Sequence, residues 1–417
     1  MNEVPARAPT YRQVLSNGEF RALYSARVLS DWGDAIARVA ISALVLHRSG
    51  SAMFAAAVFA VSFLPQVFGQ ALLAPYADRV SRRTLLVVCD LLRAAFVAVL
   101  VLAVVVDVPL LVLLVLLFVV ELVGAPFFAA GYALLTELFD DRSEFLRASS
   151  LTSLTSQLNQ VLGVALGGLV VGFLGAERAL WIDAATFIVS AVFLSTSVRP
   201  RAAAAALGLP GPADLARDVR AGLAHLRQDQ SLRALLVLAW VMTLVLVAPE
   251  AVALPYAASH GEDAKVGGIL LAAVPFGAVI GVAVVGRWRP VVQVRRMLPL
   301  ASFAPLPLLG LVVDPSWPVA AVLFVLSGLF QGFMVPLMAT YSLLAPDAMR
   351  GRLNGLAGSG FALVTALAFL VVGALADLTS EAAAVVLAAL ATSVFLAVTW
   401  AVWPRQQLID SAARTYS

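Results

Sequence analysis

Four charged residues interrupt one apolar stretch of the sequence, "RVLSDWGDAIAR" at positions 27 to 38: Arg27, Asp31, Asp34 and Arg38, spaced four, three and four apart. On a helix with about 3.6 residues per turn this spacing puts all four on one face, over about 16 Å of axis. Arg27 with Asp31, and Asp34 with Arg38, then form i,i+4 pairs whose charges cancel, which lowers the cost of burying them in lipid. Two chemistries fit such a stripe. One is structural, a pair of internal salt bridges. The other is proton coupling: an aspartate that loses its arginine or its water takes up a proton, which ties proton movement to conformation. Asp34, beside Gly33 and nearer mid-span, is the first candidate for that role and Asp31 the second.

Other acids stand in apolar runs: Asp90 close to Arg93, Glu121 near Gly124 and Pro126, Asp183, and Glu250 between Pro249 and Pro255. An unpaired carboxylate inside a membrane costs roughly 2–3 kcal/mol or more, so each must find a partner, face water or carry a proton. Glu121 and Glu250 are candidates for contacts to substrate or proton. Asp183 also suits a helix-start cap at the outer end of its segment. The prolines around Glu250 remove backbone donors and predict a bent, gating helix. Aromatic residues at mid-span depth, Trp32, Phe59, Phe63, Phe128, Trp240, Phe276, Phe330 and Phe333, are candidate walls of an apolar substrate cavity.

The elements that must hold these residues are set by composition. The chain of 417 residues is 61% hydrophobic and 13% charged, with a mean hydropathy of +0.95; soluble domains run near 45–50% apolar and about 25% charged. About 20 apolar residues cross a bilayer. Twelve such runs are present, at 20–46, 51–75, 84–106, 109–132, 147–174, 178–198, 233–257, 265–286, 297–313, 317–343, 353–376 and 380–403. The expected fold is all-α and integral to the membrane, with twelve transmembrane helices in two six-helix bundles. The expected divisions are an N-terminal tail 1–19, a first bundle 20–198, a linker 199–232, a second bundle 233–403 and a C-terminal tail 404–417.

Residues 1–19 lack a signal-peptide core. Most of the 28 Lys and Arg fall in the two tails and in every second loop, starting with Arg79, Arg82 and Arg83, while the opposite loops hold Arg48, Arg178 and Lys265. By the positive-inside rule both termini are expected in the cytoplasm. The pI near 9.3 therefore reports topology, and no nucleic-acid partner is expected. The linker opens with "RPRAAAAALGLPGPAD", which discourages a continuous helix, and continues into a helix whose stripe is Leu215, Val219, Leu223 and Leu226. Such a helix lies along the membrane face with its arginines toward anionic headgroups.

Several classes of chemistry are excluded. The single Cys89 cannot form an internal disulfide, and His47, His225 and His260 have no ligand spacing, so neither metal nor cofactor is expected. No phosphate-cradling glycine loop precedes the one lysine, Lys265, and neither a Gly-x-Ser-x-Gly elbow nor a His-Glu-x-x-His helix occurs. ATP hydrolysis by that route is excluded, and the protein is not expected to be an enzyme.

The halves carry a weak parallel repeat. At an offset of 205 residues Arg147 matches Arg352, Leu151 matches Leu356 and Gly168 matches Gly373; such repeats place a substrate site between halves. The loop "APYADRVSRR" makes the relation specific. Its Asp78-Arg79-Val80-Ser81-Arg82-Arg83 resembles the signature loop of the major facilitator superfamily, Gly-x-x-x-Asp-Arg-x-Gly-Arg-Arg/Lys, with Ala74 and Ser81 at the two glycine positions. The resemblance implies that Asp78, with Arg79, Arg82 and Arg83, holds the cytoplasmic side closed by engaging a helix start in the other half, a role that suits the helix dipole.

"RALWIDAATFIVSAVFL", "DLARDVRAGLAHLRQDQSLRALL" and "GDAIARVAISALVLHRSGSA" resemble the branch holding the enterobactin exporter and macrolide efflux proteins. "NQVLGVALGGLVVG", with Gly163, Gly167 and Gly168, is similar to the antiporter motif of drug/proton exchangers, with Asn159 at its first glycine and Val164 at its proline. Those glycines equally provide a groove for a neighbouring helix. The fourth span departs from the exchangers, which often carry an early arginine where this chain has none.

The resemblance implies a proton-coupled exporter of hydrophobic or amphipathic small molecules, such as drugs, macrolide-like metabolites or siderophores, working by alternating access. The alternatives are a proton-coupled importer, and a lipid scramblase or non-transporting sensor. Expected partners are the small-molecule substrate, protons and membrane lipids. The protein is expected to be a monomer in a bacterial cytoplasmic membrane.

Overall fold

A computed structural model describes residues 10–77, 80–139, 141–201, 212–346 and 349–416. Helices account for nearly all of them, since in lipid the backbone has no water to bond and must satisfy itself. A short α1 (Tyr11–Ser16), capped by Thr10, precedes the long α2 (Gly18–Ser49). Then come α3 (Ala52–Ala77), α4 (Arg82–Val105), α5 (Leu110–Leu138), α6 (Arg142–Leu174) and α7 (Ala176–Ser197). The linker helix is α8 (Pro212–Gln228), followed by α9 (Gln230–Ser259) and α10 (Ala264–Val285). The ninth span is α11 (Pro290–Phe303) continued by a 3-10 segment, Pro307–Val313, and the tenth is α12 (Trp317–Leu329), a 3-10 turn and α13 (Met334–Leu344). α14 (Arg350–Leu378), α15 (Glu381–Val402) and a terminal α16 (Arg405–Tyr416) complete the chain.

The twelve-span, all-helical fold read from the sequence is the fold observed. Among the described residues nine spans meet the length and apolarity needed to cross a membrane. The other three are α2, which carries the charged stripe, and α3 and α6, whose apolar stretches are Ala52–Val67 and Leu162–Leu174. Spans nine and ten differ from the continuous helices expected. Pro305 and Pro307 each lack an N–H, so the helix tightens into a 3-10 segment there. Side-chain caps fix several starts: Ser81 accepts from the Thr84 N–H at 3.2 Å, Asp229 from Leu232 at 2.9 Å and Ser380 from Ala383 at 3.1 Å. α9 runs as one helix through Pro249 and Pro255.

Contacts group the described residues into two compact units whose boundary crosses α2, α3 and α6. One gathers the chain up to Ala37 with Phe68–Gly163 and Leu174–Leu209; the other gathers Arg38–Val67, Val164–Phe173 and Pro210–Ser417. The first unit has a core of Leu23, Leu86, Phe127, Leu134 and Leu194. A second cluster joins Val14 of α1 to Phe20, Leu135 and Phe139, the two rings meeting edge-on at 5.4 Å.

In the second unit the repeat becomes visible as packing. A Cβ on Gly168 of α6 would run into the backbone of Gly268 on α10, and one on Gly373 of α14 would lie 2.8 Å from the Ala56 Cβ on α3. The two glycines matched at an offset of 205 residues thus each sit at a close helix crossing where an added Cβ would clash. Beside the second crossing, Phe59 stacks on Phe369 at 5.3 Å. α2 and α3 are joined through Gly50, whose φ of 66° lies in the left-handed region that glycine enters freely.

Candidate functional site

The first unit buries a charged cluster. Asp34 of α2 is 7% exposed and Arg93 of α4 fully buried; Arg93 Nη2 donates to Asp34 Oδ1 at 2.5 Å. This corrects the expected pairing of Asp34 with Arg38. The cation comes from another helix, which ties α2 to α4 instead of stapling α2 to itself. The guanidinium carbon lies 4.1 Å from the centre of the Phe187 ring of α7, an arrangement worth about 2 kcal/mol when desolvated. Gly124 of α5 faces the guanidinium, and a Cβ there would lie in ordinary contact with it at 3.5 Å. Arg93 Nε and Nη1 have no hydrogen-bond partner among the described residues. One carboxylate and one ring therefore hold a cation able to make more hydrogen bonds than it does.

Acids surround this pair. Asp90, one turn before Arg93 and fully buried, accepts from Ser190 of α7 through Oδ2 at 2.5 Å. Its Oδ1 has no hydrogen-bond partner among the described residues. Asp183 of α7 is fully buried and, with Glu121 of α5, acts electrostatically on Arg93. The helix-start reading of Asp183 is corrected here: α7 begins at Ala176 after Gly175, so Asp183 lies two turns inside the helix. Gly33 explains how it fits, because a Cβ on Gly33 would strike the Asp183 and Thr186 side chains.

The rest of the stripe parts company. Asp31 accepts from Asn159 Nδ2 at 3.2 Å, and the same amide accepts from Trp32 Nε1 at 2.9 Å. Arg27 lies in the field of Asp31, with its guanidinium carbon 4.6 Å from the centre of the Phe128 ring. Arg38 belongs to the second unit, where its charge acts on Glu250 of α9. The four residues on one helix face thus divide among three environments, Arg27 with Asp31, Asp34 with Arg93 and Arg38 with Glu250, because successive turns of α2 meet different neighbours.

Asn159 is the residue most easily missed in the sequence. It stands where the antiporter motif has glycine, and its amide fills that space with hydrogen bonds to two neighbours on α2. Gly163, the next position of the motif, lets α6 approach α2, with a Cβ there only 2.8 Å from the Ala35 Cβ. Gly167 is buried one residue before the Gly168 crossing. Arg93 was legible as a buried cation, but its partner was not.

The candidate cavity aromatics have the following partners and exposures. Phe63 stacks against Phe369 at 6.0 Å, Trp240 donates to the Ala357 carbonyl at 3.5 Å, and Phe330 stacks on Phe303 at 5.6 Å. Phe333 is fully buried and Phe276 is 52% exposed. At the signature loop, Asp78 and Arg79 lie outside the described residues. Arg82 is buried with Nε 3.5 Å from Glu137 Oε1, and Arg83 donates to the Ser195 carbonyl. The start of α4 is thereby fastened to α5 and α7. Nearby in sequence to the α7 end, Arg201 Nη1 lies 2.7 Å from Glu19 Oε2, and the Arg199 N–H donates to the same oxygen at 3.1 Å. Burial of Glu19 works against its ionisation, but these hydrogen bonds and the two guanidinium charges outweigh it and hold the carboxyl below its ordinary range. Among the described residues no group of His, Cys, Asp and Glu is arranged to hold a metal ion.

The family model described as Major Facilitator Superfamily matches residues 23–313 of the chain. The multidrug efflux pump Tap of Mycolicibacterium fortuitum is 28% identical over 357 residues, which cover 83% of this chain and 86% of that protein. The enterobactin exporter EntS of Shigella flexneri is 30% identical over 225 residues, 52% of this chain and 50% of its own. In fold the chain is similar to the crystal structure of the nucleoside transporter NupG, with a TM-score of 0.73 at 15% identity, covering 92% of this chain and 99% of that one.

Proposed function

The chain belongs to the major facilitator superfamily, and we propose that it is a proton-coupled exporter of hydrophobic or amphipathic small molecules that works by alternating access. It resides in a bacterial cytoplasmic membrane with both termini inside. The observation that carries this reading is the buried ion pair between Asp34 and Arg93, set among Asp90, Asp183 and Glu121. Support for the direction of transport comes from relatives named a multidrug efflux pump and an enterobactin exporter.

A proton arriving at Asp34 removes the negative charge that Arg93 answers. The guanidinium, with two nitrogens free of hydrogen bonds among the described residues, then turns toward the neighbouring carboxylates of α4, α5 and α7. Because the pair joins α2 to α4, this exchange alters how those helices pack and favours the opposite-facing state. Proton release restores the pair. One pH unit is worth about 1.4 kcal/mol per proton and 100 mV about 2.3 kcal/mol. Together they sustain a substrate ratio of several hundredfold at one proton per cycle.

The test uses inverted membrane vesicles with an imposed acid-inside gradient and a lipophilic dye or a macrolide as substrate. Accumulation that a protonophore abolishes is the expected result. Accumulation only in right-side-out vesicles with an acid-outside gradient would make the protein an importer, and gradient-independent lipid movement would make it a scramblase.

A further inference from the structure

We propose that Asp377 is the latch of the non-cytoplasmic gate: a carboxylate at the end of α14 that holds the start of α3 and must let go before the transporter opens outward. The proposal rests on the alternating-access reading above, but it concerns a different face and different residues from the buried ion pair.

The first backbone N–H groups of a helix have no partner within the helix and carry its positive dipole end. At α3 three donors converge on Asp377, which comes from a helix more than 300 residues further along the chain. Ala52 N–H donates to Oδ1 at 2.6 Å, Met53 N–H to Oδ2 at 3.3 Å and Ser51 Oγ to Oδ2 at 2.5 Å. Ser51 also accepts from the Phe54 N–H at 3.2 Å. The local cap of α3 is thus passed on to α14. Charge-assisted bonds of this kind are about twice as strong as neutral ones.

The position of the latch gives it leverage. One turn before it, Gly373 lets α14 touch α3 at Ala56, so the carboxylate closes the end of a backbone-close crossing. At the equivalent crossing of α6 on α10 a different device stands in its place. There Gly172, matched to Asp377 at the same offset of 205 residues, makes room for the Lys265 side chain, whose Nζ lies 4.0 Å from the centre of the Phe173 ring. The latch is built to be broken. Asp377 is exposed, and a cavity of about 520 Å³ reaches it between His47, Glu262 and Glu381. Water can therefore solvate both halves of the contact once it parts.

The experiment measures the distance between spin labels at Phe54→Cys and Val371→Cys in the full chain carrying Cys89→Ser, in lipid nanodiscs without substrate or gradient. Both label sites are exposed, at 44% and 50%. The unsubstituted latch should give a dominant short distance. Asp377→Asn and Asp377→Ala should raise the ratio of long to short distances about tenfold, Ser51→Ala less, and Asp377→Glu should return part of the short population. An unchanged ratio in both Asp377→Asn and Asp377→Ala overturns the proposal. If the ratio moves and no substrate is concentrated in vesicles, the latch stands and the export reading falls. If substrate is concentrated and the ratio stays fixed, the latch falls alone.

Discussion

Replacing Arg93 by Met should damage the protein far more than replacing Asp34 by Asn, and replacing both should repair part of the damage. Arg93 is fully buried and 2.5 Å from a carboxylate that is itself 7% exposed. Removing the cation leaves Asp34 uncompensated beside Asp183 and Glu121, which act on the same spot. Breaking a buried pair from one side costs about 3–5 kcal/mol. Asp34→Asn is milder because an amide still offers Arg93 an acceptor and the neighbouring acids still answer its charge; the loss is about 1–3 kcal/mol, that of one charged hydrogen bond. In the double variant Asp34 no longer carries a stranded charge, but Asp183, Glu121 and Asp90 still lose the Arg93 charge that acts on them, so its stability should lie between that of Arg93→Met and that of Asp34→Asn. Unfolding of the four purified proteins in detergent, followed by tryptophan fluorescence, measures the cycle. Losses that simply add, or an Arg93→Met protein as stable as the parent, would show that Asp34 and Arg93 do not compensate each other.

Asn159→Leu removes both the acceptor of Trp32 and the donor to Asp31 in a buried place, and should cost about 1–3 kcal/mol in the same unfolding assay. Gly168→Val drives a side chain into the Gly268 backbone, so α6 and α10 cannot close; spin-label distances across that crossing should lengthen while the variant still inserts in the membrane. Glu137→Gln removes the partner of Arg82, but with Glu137 36% exposed the stability change should stay below about 1 kcal/mol. Glu19 sets a pH dependence: its carboxyl is held low by Arg201 and Arg199 against burial. Its contribution is therefore complete above the ordinary carboxyl range and fades as acid protonates it. Glu19→Gln should lower stability at pH 7, and the difference from the parent should shrink below about pH 4.

The helices were legible in the sequence because lipid imposes a length and an apolarity that few residues can violate. Where the reading went astray, the cause was local or lateral. Pro305 and Pro307 change the pitch of span nine without changing its hydropathy. Asp34 found its cation on α4 because helical spacing tells which residues share a face, not which neighbour that face meets. The same limit hid Asn159, whose departure from a glycine motif becomes meaningful only when Trp32 and Asp31 are seen opposite it. The matched pair Gly168 and Gly373, by contrast, was readable as a repeat, since a crossing without side chains leaves glycine at the same register in both halves.

If the ion pair of Asp34 couples proton influx to export, neutralising Asp34 uncouples the two. Inverted vesicles holding equal amounts of the parent and of Asp34→Asn would be given the same acid-inside gradient and the same lipophilic dye. The parent should concentrate the dye against its gradient while Asp34→Asn only equilibrates it. Equal concentration by both would leave the Asp34 and Arg93 pair a structural clasp with no part in coupling.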